Sequence, residues 1–259
     1  MKRRDFLAAG FAGVAGVNAL ANATEAKQQA KREFFELRRY HLHVGAKKNL
    51  VGNFLRDVGI AAMNRIGIQP VGVFNAMYGP NSPTLYVLLV HKSLRSVVET
   101  SSRLMAELEA LDRAATYLNM PLSEPAYVRY ESSLMVAFSH MPKLEVPEKK
   151  LRIFELRTYE SHSSKAAKKK IEMFNEGGEI ATFRKTGLQP VFFGETIVGP
   201  KLPNLTYMLV FDNMADRDER WNVFRDDPDW KKLRANPAYK DTVSNITDII
   251  LRPTPYSQI

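Results

Sequence analysis

One short pattern occurs twice in the sequence, and it limits the folds that the chain can adopt. The first copy begins FFELRRYHLH at Phe34, and the second begins IFELRTYESH at Ile153. Phe35 therefore matches Phe154 at an offset of 119. Further matches follow in the same order, GIQPV with GLQPV and then PAY with PAY. A repeat this long indicates a duplicated unit of secondary structure.

The same order of elements is predicted in each copy. The alternating aromatic residues of 34–42 are typical of a strand, and residues 45–66 carry apolar side chains at helical spacing. Two further strands, a long helix and a last strand complete the order β-α-β-β-α-β. In the second copy, Gly177 and Gly178 predict a weak point in the first helix, because glycine costs about 1 kcal/mol in a helix interior.

These patterns predict an α+β fold made of two tandem units. We expect a first ferredoxin-like unit over 34–142, a linker over 143–151 that contains Pro147, and a second unit over 152–256. Such a unit covers one face of its sheet with helices. The uncovered faces of the two sheets would then pack together, as an α/β barrel of the dimeric type built within one chain.

Strand alternation divides the repeated pattern into two faces. We expect Phe35 and Leu37, with their counterparts in the second unit, to pack under the helices. The other face carries a repeated acid, base and phenol, predicted to line the space between the sheets: Glu36, Arg38, Tyr40, Glu155, Arg157 and Tyr159. Two interpretations stay open. Either the Glu and Arg side chains pair with each other and join the two sheets, or the arginines line a pocket and bind an anionic group.

The start of the chain resembles a twin-arginine export signal. Arg3 and Arg4 precede Phe-Leu and a modest apolar run that is too short for a comfortable membrane span. Small residues near Ala21 and Ala23 offer cleavage sites. We therefore expect residues 1–23 to be removed and the mature protein to be periplasmic or otherwise exported, without a stable membrane span. A retained anchor is the alternative.

Composition excludes several classes of site. The chain has no cysteine, which rules out disulfides, thiolate metal sites and cysteine nucleophiles. Its formal net charge is +9, yet the one dense basic run, Lys165 to Lys170, lacks interleaved aromatic residues and is interpreted as a solvated helix face. No nucleic-acid partner is therefore expected.

The histidines give weak candidates for a metal site. His41 and His43 lie on one strand face, and His162 follows the matching strand of the second unit beside Glu160. Imidazole and carboxylate ligands suit zinc, copper or iron. A third nearby ligand is missing from the pattern, so no metal and no other cofactor is predicted. Trp221 and Trp230 are interpreted as packing residues of the short second-unit helices.

With these residues in view, the chain resembles the NIPSNAP family. The strand start Phe-Glu-Leu-Arg-x-Tyr occurs in both units, and the second unit adds the segments that begin at Phe174, Val198 and Asp227. The first unit departs from the pattern, since it has no counterpart of Trp230. The resemblance implies the dimeric α/β-barrel superfamily, which includes cofactor-poor monooxygenases, haem-degrading enzymes and isomerases. It supplies no catalytic residue.

The sequence therefore leaves two functions open. The first is an exported module that binds a small molecule or a protein. The second is a cofactor-independent oxygenase or isomerase that acts on an aromatic or anionic metabolite between the sheets. The identity of any partner, and whether the chain forms a homo-oligomer, stay open.

Overall fold

Strands from both halves of the chain close into one barrel. The computed structural model describes residues 31–78 and 82–259. Within these residues the strands pair antiparallel in the closed order β1-β3-β2-β8-β5-β7-β6-β4. Their bounds are β1 Phe34–His41, β2 Val71–Ala76, β3 Thr84–His91, β4 Arg129–Ala137, β5 Ile153–Glu160, β6 Gln189–Val198, β7 Asn204–Phe211 and β8 Asn245–Pro253.

The helices cover the outside of the barrel. In the first half these are α1 Leu50–Phe54, α2 Ile60–Arg65, α3 Leu94–Glu109 and α4 Ala115–Leu118. A π-helical turn, Leu55–Gly59, joins α1 to α2, and short 3-10 turns precede α1 and α4. In the second half they are α5 Ser164–Phe174, α6 Glu179–Lys185, α7 Met214–Asp226 and α8 Pro228–Arg234, followed by a 3-10 turn at Pro237–Tyr239.

The two halves repeat the same strand order, as the duplicated sequence predicted. The first half contributes β4-β1-β3-β2 and the second half β8-β5-β7-β6. Two seams join them, one between β2 and β8 and one between β4 and β6. The export signal predicted for residues 1–23 lies outside the described residues.

The interior of the barrel is an apolar core shared by both halves. Phe35 packs on Phe192 with ring centroids 5.0 Å apart, and Phe74 packs on Phe154 at 4.9 Å. Leu156, Val191 and Met208 belong to the same buried cluster. Separate clusters lie between each half of the sheet and its own helices. A barrel of this strand number has an interior that side chains can fill.

The end of the chain reinforces the seam between β2 and β8, where only three residue pairs are in register. The backbone N–H of Val73 donates to the Ser257 hydroxyl at 2.9 Å, and that of Val71 donates to the Gln258 side chain at 2.8 Å. Ile259 reaches the interior cluster and is 8% exposed. Residues 257–259 thus satisfy strand groups that β8 leaves unpaired.

Candidate ligand-binding site

The polar face of the repeated strand lies under the helices, and the prediction that it lines the inter-sheet space is wrong. Phe35 and Phe154 belong to the barrel interior, whereas Tyr40 and Tyr159 join the clusters beneath the helices. Alternation carries the neighbouring acids and arginines to the helix side as well. The physical reason is that polar partners lie on that side, whereas the barrel interior is apolar. These partners come from strands in the first half and from α7 as well in the second half. The six residues concerned are Glu36, Arg38, Tyr40, Glu155, Arg157 and Tyr159.

In the first half, the acid and base of the pattern pair with each other on one strand. Arg38 Nε donates to Glu36 at 2.6 Å, and the Ser132 hydroxyl donates to the same carboxylate at 2.8 Å. The ring of His91, which is fully buried, lies 3.5 Å from it. Burial works to raise the pKa of Glu36, but His91, Arg38 and Ser132 outweigh it and hold the pKa at about 2.

In the second half, the matching carboxylate is held from both its strand and a helix. Glu155 is fully buried and accepts from Trp221 Nε1 at 2.7 Å, from Arg217 at 2.6 Å and from Arg157 at 3.1 Å. Arg217 and Trp221 lie on α7. The predicted Glu–Arg pairs are therefore formed, but each pair lies within one half of the barrel and does not join the two halves.

A second carboxylate adjoins this cluster. Arg217 donates to Asp248 on β8 at 3.1 Å, and Arg157 lies 3.7 Å from the same oxygen. Burial and the nearby Glu155 raise the pKa of Asp248 to about 7, against the opposing effect of the two arginines. Two acids and two bases thus share a small volume, and one of them, Arg157, also lines a cavity.

The cavity has a volume of about 680 Å³ and lies on the helix side of the second half. Arg157 and Tyr159 contribute from β5, and the predicted partners Arg38 and Tyr40 do not line it. The rest of the wall comes from α5 to α8, from the segment before β8 and from the start of β8: Lys170, Met173, Glu179, Trp221, Phe224, Arg225, Trp230, Arg234, Tyr239, Lys240, Asp241, Thr242, Val243 and Ile246. By contrast, a pocket at the barrel mouth between the two halves has about 130 Å³.

A buried ion pair forms one wall of this cavity. Lys170 Nζ lies 2.7 Å from Glu179 Oε2, and the two residues are 4% and 2% exposed. The ammonium also lies 4.6 Å from the centroid of the Phe174 ring. Burial raises the pKa of Glu179, although Lys170 opposes this. The interpretation of the lysine run as a solvated face holds for Lys168 but is wrong for Lys170.

Two hydrogen-bonded phenols lie in the second half, and one of them lines the cavity. The Tyr207 hydroxyl donates to the Tyr159 hydroxyl at 2.8 Å. Burial raises the pKa of Tyr159 to about 12, so its phenol stays protonated at neutral pH. Tyr207 is fully buried, and only Tyr159 reaches the cavity surface.

The histidine candidates are not brought together. His41 and His43 lie at the end of β1 and His162 follows β5, and three strands separate β1 from β5 in either direction around the barrel. His41 lies 3.5 Å from Glu131, and His162 is exposed. Among the described residues, no group of three or more acidic or histidine side chains is placed to hold a metal ion.

Sequence reasoning missed most of the cavity wall. Lys170 lies four positions after Ala166 and four before Phe174, so helical spacing places it on the buried face. The sequence therefore contains a signal that Lys170 is buried. The roles of Arg217, Trp221 and Asp248 depend on which elements the fold brings beside β5, and the sequence pattern does not contain that information.

The NIPSNAP family model matches the chain twice, over residues 35–138 and 154–258. The chain belongs to the NIPSNAP family. It contains two tandem copies of the repeat, and each copy supplies one half of the barrel. No protein of curated function matches the sequence.

Solved structures share the fold of this NIPSNAP protein. A proposed monooxygenase from Fusobacterium nucleatum is 8% identical, with a TM-score of 0.54 over 86% of this chain and 92% of that one. A second, from Lactobacillus acidophilus, is 10% identical, with a TM-score of 0.51 over 86% and 94%. A NIPSNAP-like domain protein from Burkholderia xenovorans is 22% identical over 42% of this chain and 90% of that one, with a TM-score of 0.37. In the described part of the chain, no helix is long and apolar enough to span a bilayer.

Proposed function

We propose that this NIPSNAP protein is a ligand-binding module and that the cavity of its second half takes a small anionic molecule. The cavity itself carries the proposal. Its volume of about 680 Å³ lies in the range of small-molecule sites, and both aromatic and charged side chains line its wall. A flat protein-interaction surface would not need a cavity of this size.

The charges of the cavity wall favour an anion. Five cationic side chains line it, against two acids. Glu179 is already paired with Lys170. Among the described residues, no carboxylate lies within ion-pairing distance of Arg234 or Lys240 at the rim. A ligand carboxylate or phosphate that entered here would meet unpaired donors.

The two tryptophans make this proposal testable. The chain contains two Trp, and both Trp221 and Trp230 line the cavity. A ligand in this site should therefore change the intrinsic tryptophan fluorescence. We expect a panel of organic anions titrated into the purified protein to give a saturable change, and a panel that gives none would contradict the proposal.

A matched pair of variants separates the cavity from the general positive charge. Arg234 and Lys232 are both exposed and lie on the same helix, α8, but only Arg234 lines the cavity. We expect Arg234→Met to weaken binding of the anion about tenfold, as the loss of one charge-assisted contact would. Lys232→Met should leave the affinity unchanged.

The alternative function is a cofactor-independent oxygenase or isomerase. The observation that favours it is the Tyr159–Tyr207 pair, since a phenol kept protonated can donate a proton to a bound ligand. The likeness to proposed monooxygenases supports the fold alone. Oxygen uptake or ligand conversion that is lost in Tyr159→Phe, while ligand affinity stays within about twofold, would favour this alternative.

We further interpret each half as a ferredoxin-like unit and the first 23 residues as a twin-arginine export signal. Arg3 and Arg4 carry the second interpretation. If a receptor reads the guanidinium pair, replacing both with lysine should retain the precursor in the cytoplasm. Export of the double variant at the wild-type level, measured by cell fractionation, would contradict it.

A further inference from the structure

The cavity of the second half has a counterpart position in the first half, which can be located residue by residue. The duplicated strand matches Arg38 with Arg157 and Tyr40 with Tyr159, and Pro-Ala-Tyr matches Tyr127 with Tyr239. Strand register adds another pair, because Tyr130 lies opposite Tyr40 and Ile246 lies opposite Tyr159. All the second-half members of these pairs line the cavity.

A side chain of the protein itself fills the counterpart position. Tyr117, on α4, stacks on Phe54 with ring centroids 3.8 Å apart and planes inclined by 10°. It belongs to the same cluster as Tyr40 and Tyr127. Burial and these two neighbouring phenols raise the pKa of Tyr117. In the first half, therefore, an aromatic ring lies where the second half has open space.

The walls of the second-half cavity are suited to binding an aromatic ring. Trp230 packs against Phe224 at a centroid distance of 4.5 Å, and both rings line the cavity. Arg157 already lies 4.6 Å from the centroid of Trp221. Cations held against aromatic faces can accept a further ring, and stacked aromatic pairs contribute beyond their buried area.

Building on the proposed function, we propose that the ligand is an aryl carboxylate, bound once per chain. Its ring takes the position in the second half that Tyr117 takes in the first. Its carboxylate meets the cationic rim. The first half binds no second molecule, because its own tyrosine occupies that position.

The test compares two ligands that differ in the ring alone. Phenylacetate and cyclohexylacetate carry the same carboxylate on an aromatic and a saturated ring. We expect calorimetry on the full chain to give one site per chain for phenylacetate, with an affinity about tenfold higher than for cyclohexylacetate, as ring stacking would give. Tryptophan fluorescence should follow the same titration.

The outcomes separate the two proposals. Equal affinity for both acids would overturn the aromatic inference and leave the anion site intact. A chain that binds neither of these acids nor any other organic anion would overturn both. Two phenylacetate sites per chain would contradict the assignment of Tyr117 as the occupant of the first half.

A variant of the first half provides an independent measurement. Tyr117→Ala should open a space that p-cresol, which has the shape of the missing side chain, fills. We expect p-cresol to raise the midpoint of thermal unfolding more in this variant than in the wild type. If Tyr117→Ala does not fold, Tyr117→Leu serves the same comparison. An equal rise in variant and wild type would show that Tyr117 does not occupy a site of this shape.

Discussion

At the scale of single residues, the buried charges of this protein are stabilised within each half. Glu155 accepts three hydrogen bonds from α7 and its own strand, although it is fully buried. These donors replace the hydration that the carboxylate loses on burial. Replacement of Glu155 is therefore expected to cost stability chiefly because Arg157 and Arg217 lose a partner, and less because of the change at position 155 itself.

Glu155→Gln tests this balance. The substitution keeps the shape but leaves Arg157 with Asp248 alone, and Arg217 with Asp248 and the exposed Asp218. We expect the free energy of unfolding to fall by about 3–5 kcal/mol in urea denaturation. Asp57→Asn is the control. Asp57 pairs with Arg56 on the surface, and its loss should not change stability measurably. A similar effect of both substitutions would contradict the role given to Glu155.

Asp248 makes a second prediction, on pH. Its pKa of about 7 means that the folded protein keeps a proton that the unfolded chain releases near pH 4. The folded state binds more protons in this window, so Asp248 makes the free energy of unfolding fall as pH rises from about 4 to about 7. Glu155, Arg157 and Arg217 are the charged groups that face it.

We expect Asp248→Asn to remove this contribution, so that the variant gains stability relative to the wild type as pH rises from about 5 to about 8. Urea unfolding at several pH values measures it. Glu36, with a pKa lowered to about 2, acts in the opposite direction but below about pH 4.5, outside this window. Parallel profiles for variant and wild type would be the contradicting result.

At the scale of elements, a break in one helix creates the buried ion pair. α5 ends at Phe174, and Gly178 adopts a φ of +87°, which glycine adopts at little cost. The chain then turns so that Glu179, the first residue of α6, meets Lys170. The first half has no such break, since α1 and α2 join through a π-helical turn.

Gly178→Ala should therefore affect both folding and binding. A side chain at a left-handed position costs about 1–2 kcal/mol. We expect the free energy of unfolding to fall by this amount in Gly178→Ala. We also expect weaker binding of the ligand, because Glu179 and Lys170 line the cavity. Gly45 is the matched control: its φ is +72°, no atom lies within 4 Å of an added Cβ, and it is remote from the cavity. Gly45→Ala should lose stability but keep the affinity.

The sequence predicted the secondary-structure elements better than it predicted which face of each strand points into the barrel. The repeat indicated the strands, their order and the weak point at Gly177 and Gly178, because each follows from local spacing and residue type. It did not indicate which face of β1 turns inward. Phe35 and Glu36 are both buried, at 0% and 8% exposure, so that burial alone does not separate the faces. The partners of Glu155 come from α7, more than 60 positions away.

At the scale of the whole molecule, barrel closure depends on two unlike seams. The seam between β4 and β6 pairs four residues across a bulge, and the seam between β2 and β8 pairs three. Residues 257–259 complete the second seam from outside the sheet. Residues 257–259 thus act as part of the barrel.

Truncation after Tyr256 tests this role. It removes two side-chain acceptors from the β2 edge and the buried side chain of Ile259, so we expect a loss of about 3–6 kcal/mol. The exposed strand edge should also promote self-association, which light scattering would detect. Gln258→Ala removes only one of these contacts and should cost about 1 kcal/mol. Equal losses for the truncation and the single substitution would refute the proposed closure.

The linker between the halves has an evolutionary consequence. Its residues join both halves, since the Leu144 backbone donates to Glu33 and the Glu145 backbone donates to Val191. Assembly of the barrel is therefore a folding step of one molecule, independent of protein concentration. In a symmetric dimer every substitution enters both copies of a site. Here a mutation enters one half alone, so one repeat is free to specialise in closing its cavity while the other retains it.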